Sequence, residues 1–211
     1  MAKKTLYLMR HGQTLFNQRR KIQGWSDSPL TELGKKQPLH AKKYFEDHGI
    51  VFDHAYASTQ ERASDTLELA LPTPMPYERL KGLKEMNFGL FEGESEDLHP
   101  PRRPDQKTHE DTYVRFGGEA MEDVQTRISE TLTEIMTREN HENVLAVSHS
   151  GAMYFFALKW FPTLKLGVDT AFSNCCILKF EYEAGTFTFI EGIDHDFDQK
   201  IEHEELFDDE I

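Results

Sequence analysis

Residues 5–12 of this chain read TLYLMRHG, a short apolar run that stops abruptly at a polar turn. The β-branched and aromatic residues of the run predict a strand over residues 5–9. The arrangement returns at residues 143–151, NVLAVSHSG, where a buried-type strand runs straight into His149. Two predicted strands therefore end on a histidine, His11 in the first and His149 in the second.

The segments between and around these strands alternate between strand and helix. Residues 53–58, DHAYAS, predict a strand, and residues 59–71 continue it with a helical pattern of apolar side chains. Apolar residues recur at helical spacing again from Glu119 to Arg138, with acids in the first turn. The alternation predicts an α/β protein, a three-layer α/β/α sandwich with a mostly parallel central sheet, in one domain over residues 1–211.

Other segments add detail to this plan. Residues 94–118 are polar and proline-rich, which predicts a small inserted lid, and residues 194–211 form an acidic tail. Two β-rich runs separated by residues 183–185 predict a hairpin. Thr31 is a candidate N-cap of a helix that reaches about residue 49, and Pro38 inside it predicts a kink or a later start.

Composition limits the classes of partner. The formal net charge of -13 argues against sequence-independent binding to nucleic acid or to an anionic membrane, because both require a basic surface. The only two cysteines, Cys175 and Cys176, are adjacent and make an improbable disulfide pair. With no signal-peptide pattern and no long apolar run, a cytoplasmic location is expected. The sequence carries no signal for the oligomeric state.

Four side chains are expected to converge at one edge of the sheet: Arg10, His11, Arg62 and His149. In open α/β sheets, ligands gather beyond the carboxyl ends of the strands, where these residues fall. Two guanidiniums offer forked donors to a tetrahedral dianion, and one imidazole can act as a nucleophile. Such a site requires no metal ion.

Six segments of the chain resemble the histidine phosphatase superfamily, also called the phosphoglycerate mutase-like family. They occur in the family's order and spacing over roughly residues 5 to 155. The segments are LMRHGQTLFN, GWSDSPLTELGKKQ, STQERASDT, LKEMNFGLFEG, GGEAMED and VSHSG.

The resemblance implies a role for each matched residue. His11 is the nucleophile that would carry the phosphoryl group as phosphohistidine, and Glu85 is the proton donor. The other catalytic positions, which bind the phosphoryl oxygens, are Arg10, Arg62 and His149. The substrate-binding positions are Asn17, Gln23, Gly24 and Ser150, of which Ser150 stands where the family usually has Gly. The reaction implied is hydrolysis of a small phosphorylated metabolite without a cofactor.

The loop after Glu85 favours a phosphatase over a cofactor-dependent phosphoglycerate mutase. The mutases carry Arg and Tyr where this chain has Met86 and Phe88, and an apolar wall is a poor environment for a substrate carboxylate. Cations of the predicted lid could compensate, so a mutase or sugar bisphosphatase stays open; these are Arg102, Arg103 and Lys107. A catalytically silent phosphate-binding interaction module is a further alternative, although it would not need an intact catalytic set.

Structural alternatives exist for several of these residues. Arg62 could be a surface ion-pair partner of Glu61 or Asp65. A solvated surface position is expected for the histidines outside the matched motifs, such as His40, His48, His54, His141 and His203. In the tail, four acids fall at calcium-loop positions, but Gln199 stands where the loop needs Gly, which argues against a metal site. Those acids are Asp194, Asp196, Asp198 and Glu205.

Overall fold

The computed structural model describes residues 3–101, 110–161, 172–194 and 200–201. Over these residues seven strands form one sheet in the order β3-β2-β4-β1-β5-β6-β7. The strands are β1 (Lys4–Arg10), β2 (His54–Ser58), β3 (Glu78–Leu80), β4 (Asn143–Ser148), β5 (Ile177–Glu183), β6 (Thr186–Ile193) and β7 (Lys200–Ile201). The α-helices are α1 (Leu15–Gln18), α2 (Glu32–Asp47), α3 (Glu61–Ala70), α4 (Met121–Thr137) and α5 (Ser150–Trp160).

The sheet has a parallel part and an antiparallel extension. Strands β3, β2, β4 and β1 pair in parallel, whereas β5 is antiparallel to β1 and continues into the predicted hairpin with β6. Ala184 and Gly185 turn that hairpin, both with positive φ. The parallel part carries the strand ends on which the sequence placed its histidines.

Side chains alternate between the two faces of the central strands, so that each face has its own core. In β1, Leu6 and Leu8 join one apolar cluster, while Tyr7 and Met9 join the other. Helices α4 and α5 pack on the first face, and α2 and α3 pack on the second. Strands buried on both faces are typical of parallel sheets covered by helices. The predicted three-layer α/β/α class is confirmed.

Helix α2 differs from its prediction in one respect. It begins at Glu32, directly after the Thr31 N-cap, whose side chain accepts from the Gly34 amide at 3.0 Å. It then continues through Pro38, so the later start is wrong and the kink stays a prediction. Proline costs a helix one hydrogen bond, which the burial of Ala41 and Phe45 farther along the same face offsets.

The two ends of the predicted lid are tied to the body of the protein. At its start, Ser95 forms a β-bridge with Lys21. At its end, the Phe116 ring meets Phe91 edge-on, with 4.9 Å between centroids. Between them, Tyr113 meets Phe88 in the same manner, also at 4.9 Å. Residues 102–109, which include the three lid cations, lie outside the described residues, as does most of the acidic tail.

Candidate active site

Strands β1 and β4 bring the two motif histidines side by side. The strands are parallel neighbours in a register that pairs Arg10 with Ser148, so the next residues, His11 and His149, leave the sheet together. Their ring centroids are 5.1 Å apart, and both side chains are buried. Residues separated by more than a hundred positions thus share one site at the carboxyl ends of the strands.

The His11 ring is held in a single orientation by hydrogen bonds on both nitrogens. Nδ1 lies 2.8 Å from the Gly12 carbonyl oxygen, which can only accept, so Nδ1 carries the proton. On the opposite side, Arg62 Nε donates to His11 Nε2 at 3.3 Å. Nε2 therefore holds a free electron pair. The fixed acceptor that the sequence leaves unnamed is the carbonyl of the next residue.

The surroundings of His11 favour the neutral ring. Burial lowers the pKa of His11 well below 6.5, and the positive charges of Arg62 and Arg10 lower it further, while the Gly12 carbonyl acts in the opposite direction. An unprotonated imidazole is the form that can attack an electrophile.

Arg62 lies inside the protein, with its guanidinium directed at the site. It forms an ion pair with Asp27, from Nη1 to Oδ1 at 2.8 Å, and its side chain is fully buried. Nη1 also donates to the Ser26 carbonyl at 3.0 Å and Nη2 to the Gly24 carbonyl at 2.9 Å. The alternative of a surface ion pair with Glu61 or Asp65 is therefore wrong, because the loop before α2 supplies the acid.

Two of the predicted site residues have buried polar atoms without partners in the described part of the protein. Among the described residues, Arg10 Nε and both ring nitrogens of His149 are buried without a hydrogen bond. Burial lowers the pKa of His149 well below 6.5, and Arg62 is the next largest cause. Leaving buried donors unsatisfied costs free energy, about 1–3 kcal/mol for each group, and native sites accept that cost where a ligand binds.

Glu85 reaches the site from the loop that follows β3. Its buried carboxylate accepts from the amides of Gly151 and Ala152, both at 2.9 Å, at the first turn of α5. The positive end of a helix dipole suits a carboxylate, and a carboxylate held there is also placed beside His149, the residue before α5. Gly151 is required for this approach, since a Cβ there would lie 2.7 Å from Glu85 Oε1.

The four predicted substrate-binding residues all form hydrogen bonds to other residues of the protein. The Asn17 Oδ1 atom accepts from the Thr14 amide at 3.0 Å, and Gln23 Oε1 accepts from the Thr14 hydroxyl at 2.6 Å. Gly24 presents its carbonyl to Arg62, and the Ser150 hydroxyl accepts from the Phe172 amide at 3.1 Å. Each thus supports the site through the protein, and direct contact with substrate stays a prediction.

Glu92 organises the loop that holds Arg62. Its carboxylate accepts from the amides of Gly24 at 3.1 Å, Trp25 at 2.7 Å and Ser26 at 2.8 Å. Since Gly24 and Ser26 present their carbonyls to Arg62, Glu92 positions that arginine without touching it.

Three residues that support the site were not predicted from the sequence. Gln60 Oε1 accepts from the Glu85 amide at 3.0 Å, and Asn174 Nδ2 donates to the His11 carbonyl at 3.0 Å. Arg127 Nη2 donates to the Glu85 carbonyl at 2.8 Å. Gln60 lies inside a matched motif, and Arg127 interrupts the apolar face of α4, so both had a weak signal. Asn174 had none.

One surface prediction is wrong. His141 is buried, with Nε2 2.7 Å from the Tyr56 hydroxyl and Nδ1 2.9 Å from the Glu139 carbonyl, and it stacks on His54. The sequence does not predict the burial of His141, because its stacking partner His54 lies far away in the chain, at the start of β2. His40 and His48 are exposed as expected, and His203 lies outside the described residues.

The described residues show no grouping of three or more His, Cys, Asp or Glu side chains suited to a metal ion. Asp194 is described and accepts from the Ser173 hydroxyl, whereas the other three acids of the calcium-loop pattern lie outside the described residues. In the same parts of the chain, no helix combines the length and apolar content needed to cross a bilayer.

The chain belongs to the histidine phosphatase superfamily, branch 1, whose family model matches residues 6–194. The match contains every predicted site residue, and the fold described above is the one that the resemblance implied.

Named relatives include both phosphatases and mutases. A 6-phosphofructo-2-kinase/fructose-2,6-bisphosphatase of Caenorhabditis elegans is 32% identical over 154 residues, which cover 71% of this chain and 32% of that protein. A 2,3-bisphosphoglycerate-dependent phosphoglycerate mutase of Rhizobium etli is 32% identical over 161 residues, covering 71% of this chain and 75% of the mutase. This chain thus spans about a third of the first relative.

Among solved structures, a phosphoglycerate mutase from Bacillus anthracis is similar with a TM-score of 0.80 and 27% identity. The match covers 92% of this chain and 95% of the mutase. The similarity extends over almost the whole chain, including the elements that carry the site.

Proposed function

We propose that this protein is a metal-independent phosphomonoester hydrolase that acts on a small phosphorylated metabolite through a phosphohistidine at position 11. One observation carries the proposal. His11 presents an unprotonated Nε2 beside the Arg62 guanidinium, in a pocket where His149 and Arg10 have hydrogen-bonding atoms without partners among the described residues. A nucleophile and a set of unoccupied donors around it suit a phosphoryl group.

In the first step, His11 Nε2 attacks phosphorus as the bond from phosphorus to the ester oxygen breaks. Arg10, Arg62 and His149 bind the three non-bridging oxygens, over which charge spreads in the transition state. Glu85 gives its proton to the departing alkoxide, which leaves as the alcohol. The proton of His11 stays on Nδ1, and its hydrogen bond to the Gly12 carbonyl stabilises the phosphorylated ring.

In the second step, water attacks the phosphohistidine and the bond from phosphorus to Nε2 breaks. Glu85, now ionised, takes a proton from the water, and inorganic phosphate leaves. Glu85 is then protonated again, as it was at the start of the first step. Its hydrogen bonds to the amides of Gly151 and Ala152 keep it in place through both steps.

The loop after Glu85 supports hydrolysis over mutase chemistry. Met86 is buried in the apolar core, and Phe88 packs on Tyr113, so neither position offers a donor to a substrate carboxylate. The named relatives favour a phosphoglycerate mutase or a sugar bisphosphatase as the second candidate. The free thiols of Cys175 and Cys176 are consistent with our proposed cytoplasmic location.

The test is hydrolysis of an aryl phosphate by purified protein with a chelator present, between about pH 5 and pH 8. We expect turnover together with a phosphoenzyme that is labile to acid. Phosphoglycerate interconversion that outruns phosphate release would replace the hydrolase with the mutase. No turnover and no phosphoenzyme, on this substrate and on a panel of sugar phosphates, nucleotides and phosphoglycerates, would favour a silent phosphate-binding module.

A further inference from the structure

The segment that carries Glu85 has little secondary structure of its own to hold it. Between the end of β3 and residue 87 the backbone forms only a single turn of 3₁₀ helix, Lys81–Leu83. Buried carbonyls in such a segment need partners from elsewhere in the protein. Side chains supply them, and three of the four carbonyls at residues 82–85 accept from one arginine.

That arginine is Arg127, in the middle of α4. Its Nη1 donates to the carbonyls of Gly82 at 3.1 Å and Lys84 at 2.7 Å, and its Nη2 donates to the carbonyl of Glu85 at 2.8 Å. The remaining carbonyl, Leu83, accepts from the Ser148 hydroxyl at 2.8 Å, at the end of β4. The backbone of the acid loop is thus fixed to α4 and to the central sheet.

Glu119 completes the arrangement from the end of the lid. Its Oε1 accepts from Arg127 Nε at 2.8 Å and its Oε2 from Arg127 Nη2 at 3.0 Å, a bidentate ion pair. Oε2 also accepts from the Asn87 amide at 2.8 Å, and the Glu119 amide donates to the Asn87 carbonyl at 2.9 Å. The pair therefore holds the loop on both sides of Glu85.

The arrangement uses all the donors that a guanidinium has. Arg127 has five N–H groups, and each is directed at one of the five acceptors named above. Lysine keeps the charge but has three donors on a flexible stem, so it cannot reproduce this planar set. Within the described part of the chain, neither Arg127 nor Glu119 forms a hydrogen bond or ion pair with His11, Arg10 or Arg62, the proposed nucleophile and phosphate-binding residues.

We propose that Arg127 and Glu119 are positioning residues for Glu85. They fix the backbone from which the carboxylate reaches the leaving oxygen, while α5 holds the carboxylate itself. The inference rests on the proposed function, in which Glu85 is the proton donor. A misplacement of about 1 Å in a catalytic group costs roughly a hundredfold in rate, and here the loss falls only on reactions that need the proton.

The test is the dependence of kcat/KM on the leaving group in R127K and E119Q. An alkyl phosphate expels a strongly basic alkoxide and needs protonation, whereas dinitrophenyl phosphate expels a stable phenolate and does not. We expect kcat/KM to fall about a hundredfold on the alkyl phosphate and to stay nearly unchanged on dinitrophenyl phosphate. E85Q, which lacks the proposed proton donor, sets the strongest dependence of kcat/KM on the leaving group. R127K and E119Q should shift toward that dependence.

R138K is the matched control, because Arg138 is a partly exposed residue that also pairs with a glutamate, Glu78, at 2.8 Å. It should leave both rates at the wild-type level. R127K keeps the positive charge that lowers the pKa of His149. A changed dependence of kcat/KM on the leaving group is therefore not attributable to that histidine.

An equal loss on both substrates, or no loss on the alkyl phosphate, overturns the inference. Folding is checked by circular dichroism and by the thermal midpoint, and E119Q carries the test if R127K fails to fold. Absence of turnover in the wild-type protein on every phosphate ester counts against the proposed function itself. By contrast, an active wild-type protein whose variants keep the wild-type dependence on the leaving group counts only against the role of Arg127 and Glu119.

Discussion

Two pairs of histidines lie at opposite ends of the parallel part of the sheet, and they differ in what surrounds their nitrogens. His11 and His149 follow β1 and β4, with ring centroids 5.1 Å apart and 58° between planes. His54 begins β2 and His141 precedes β4, and these rings stack at 3.5 Å with 9° between planes. Residue type alone does not separate the two pairs.

Hydrogen bonding separates His149 from His141, while His11 has an unprotonated Nε2 next to Arg62. Both nitrogens of His141 have partners in the protein, and His54 Nδ1 lies 2.7 Å from Asp53 Oδ1. Within the described part of the chain, both nitrogens of His149 have none. A buried group whose hydrogen bonds are made within the fold stabilises that fold, whereas a buried group left unsatisfied awaits a ligand. His141 and His54 therefore have a structural role at one end of the sheet, and the proposed chemistry lies at the other end.

The largest expected effect follows from removing His11, the proposed nucleophile. His11→Ala should lower kcat on an aryl phosphate by about four orders of magnitude or more, as loss of a covalent nucleophile does elsewhere. The phosphoenzyme trapped by acid quench should disappear as well. A variant that is folded by circular dichroism and still cleaves the ester within tenfold of wild type would contradict the assignment of chemistry to this pair.

Arg62→Lys should have the next largest effect. Lysine keeps the charge but cannot donate at once toward His11, Asp27 and a phosphoryl oxygen, and loss of a preorganised donor costs about a hundredfold to a thousandfold in kcat. Steady-state kinetics on the same substrate measure it. Arg20→Lys, at an exposed pair with Asp97, is the control and should match wild type. Equal kinetics of the two variants would remove Arg62 from the site.

At the other end of the sheet, His141→Phe should change stability and leave catalysis alone. It removes the acceptor of the Tyr56 hydroxyl proton and leaves that hydroxyl only the hydrogen bond from Arg138 Nη1 at 3.0 Å, which costs about 1–3 kcal/mol in the free energy of unfolding. Urea denaturation measures that loss, and kcat/KM should stay at the wild-type value. A large fall in kcat/KM with unchanged stability would reverse the roles of the two pairs.

The smallest expected effect is on the pH dependence of stability. In the folded protein the pKa of His149 lies well below 6.5, so between that pKa and 6.5 the unfolded chain binds the extra proton. The free energy of unfolding therefore falls as the pH drops below about 6.5, by up to 1.4 kcal/mol per pH unit for one such group. It is unaffected by this group at higher pH.

His149→Gln should weaken that dependence between about pH 5 and pH 6.5, measured by urea denaturation at several pH values, while His11, whose pKa is also lowered, keeps its own contribution. The exposed His40 is the matched site, and His40→Gln should keep the wild-type slope. If the free energy of unfolding changes equally with pH in the wild type and in His149→Gln, the His149 ring does not lose its proton on folding.

The elements that the sequence predicted well are those with a strong local pattern. Strand β1 and helix α4 were predicted to within two residues, because apolar side chains repeat at the strand or helix period there. Helix α2 was harder: proline normally ends a helix, yet burial of its later residues overrides that local preference. His141 was misplaced for a related reason, since its partners Tyr56 and His54 lie far away in sequence.

By itself the sequence determined the fold class, and its motifs identified the family and predicted the residues of the candidate site. Tertiary structure decided what each of those residues touches: the Gly12 carbonyl that orients His11, the Asp27 carboxylate that holds Arg62 and the arginine of α4 that fixes the loop of Glu85. The physical reason is that periodicity is a property of neighbours along the chain. Hydrogen bonds between distant segments depend on how strands and loops come together in space, which no local pattern records.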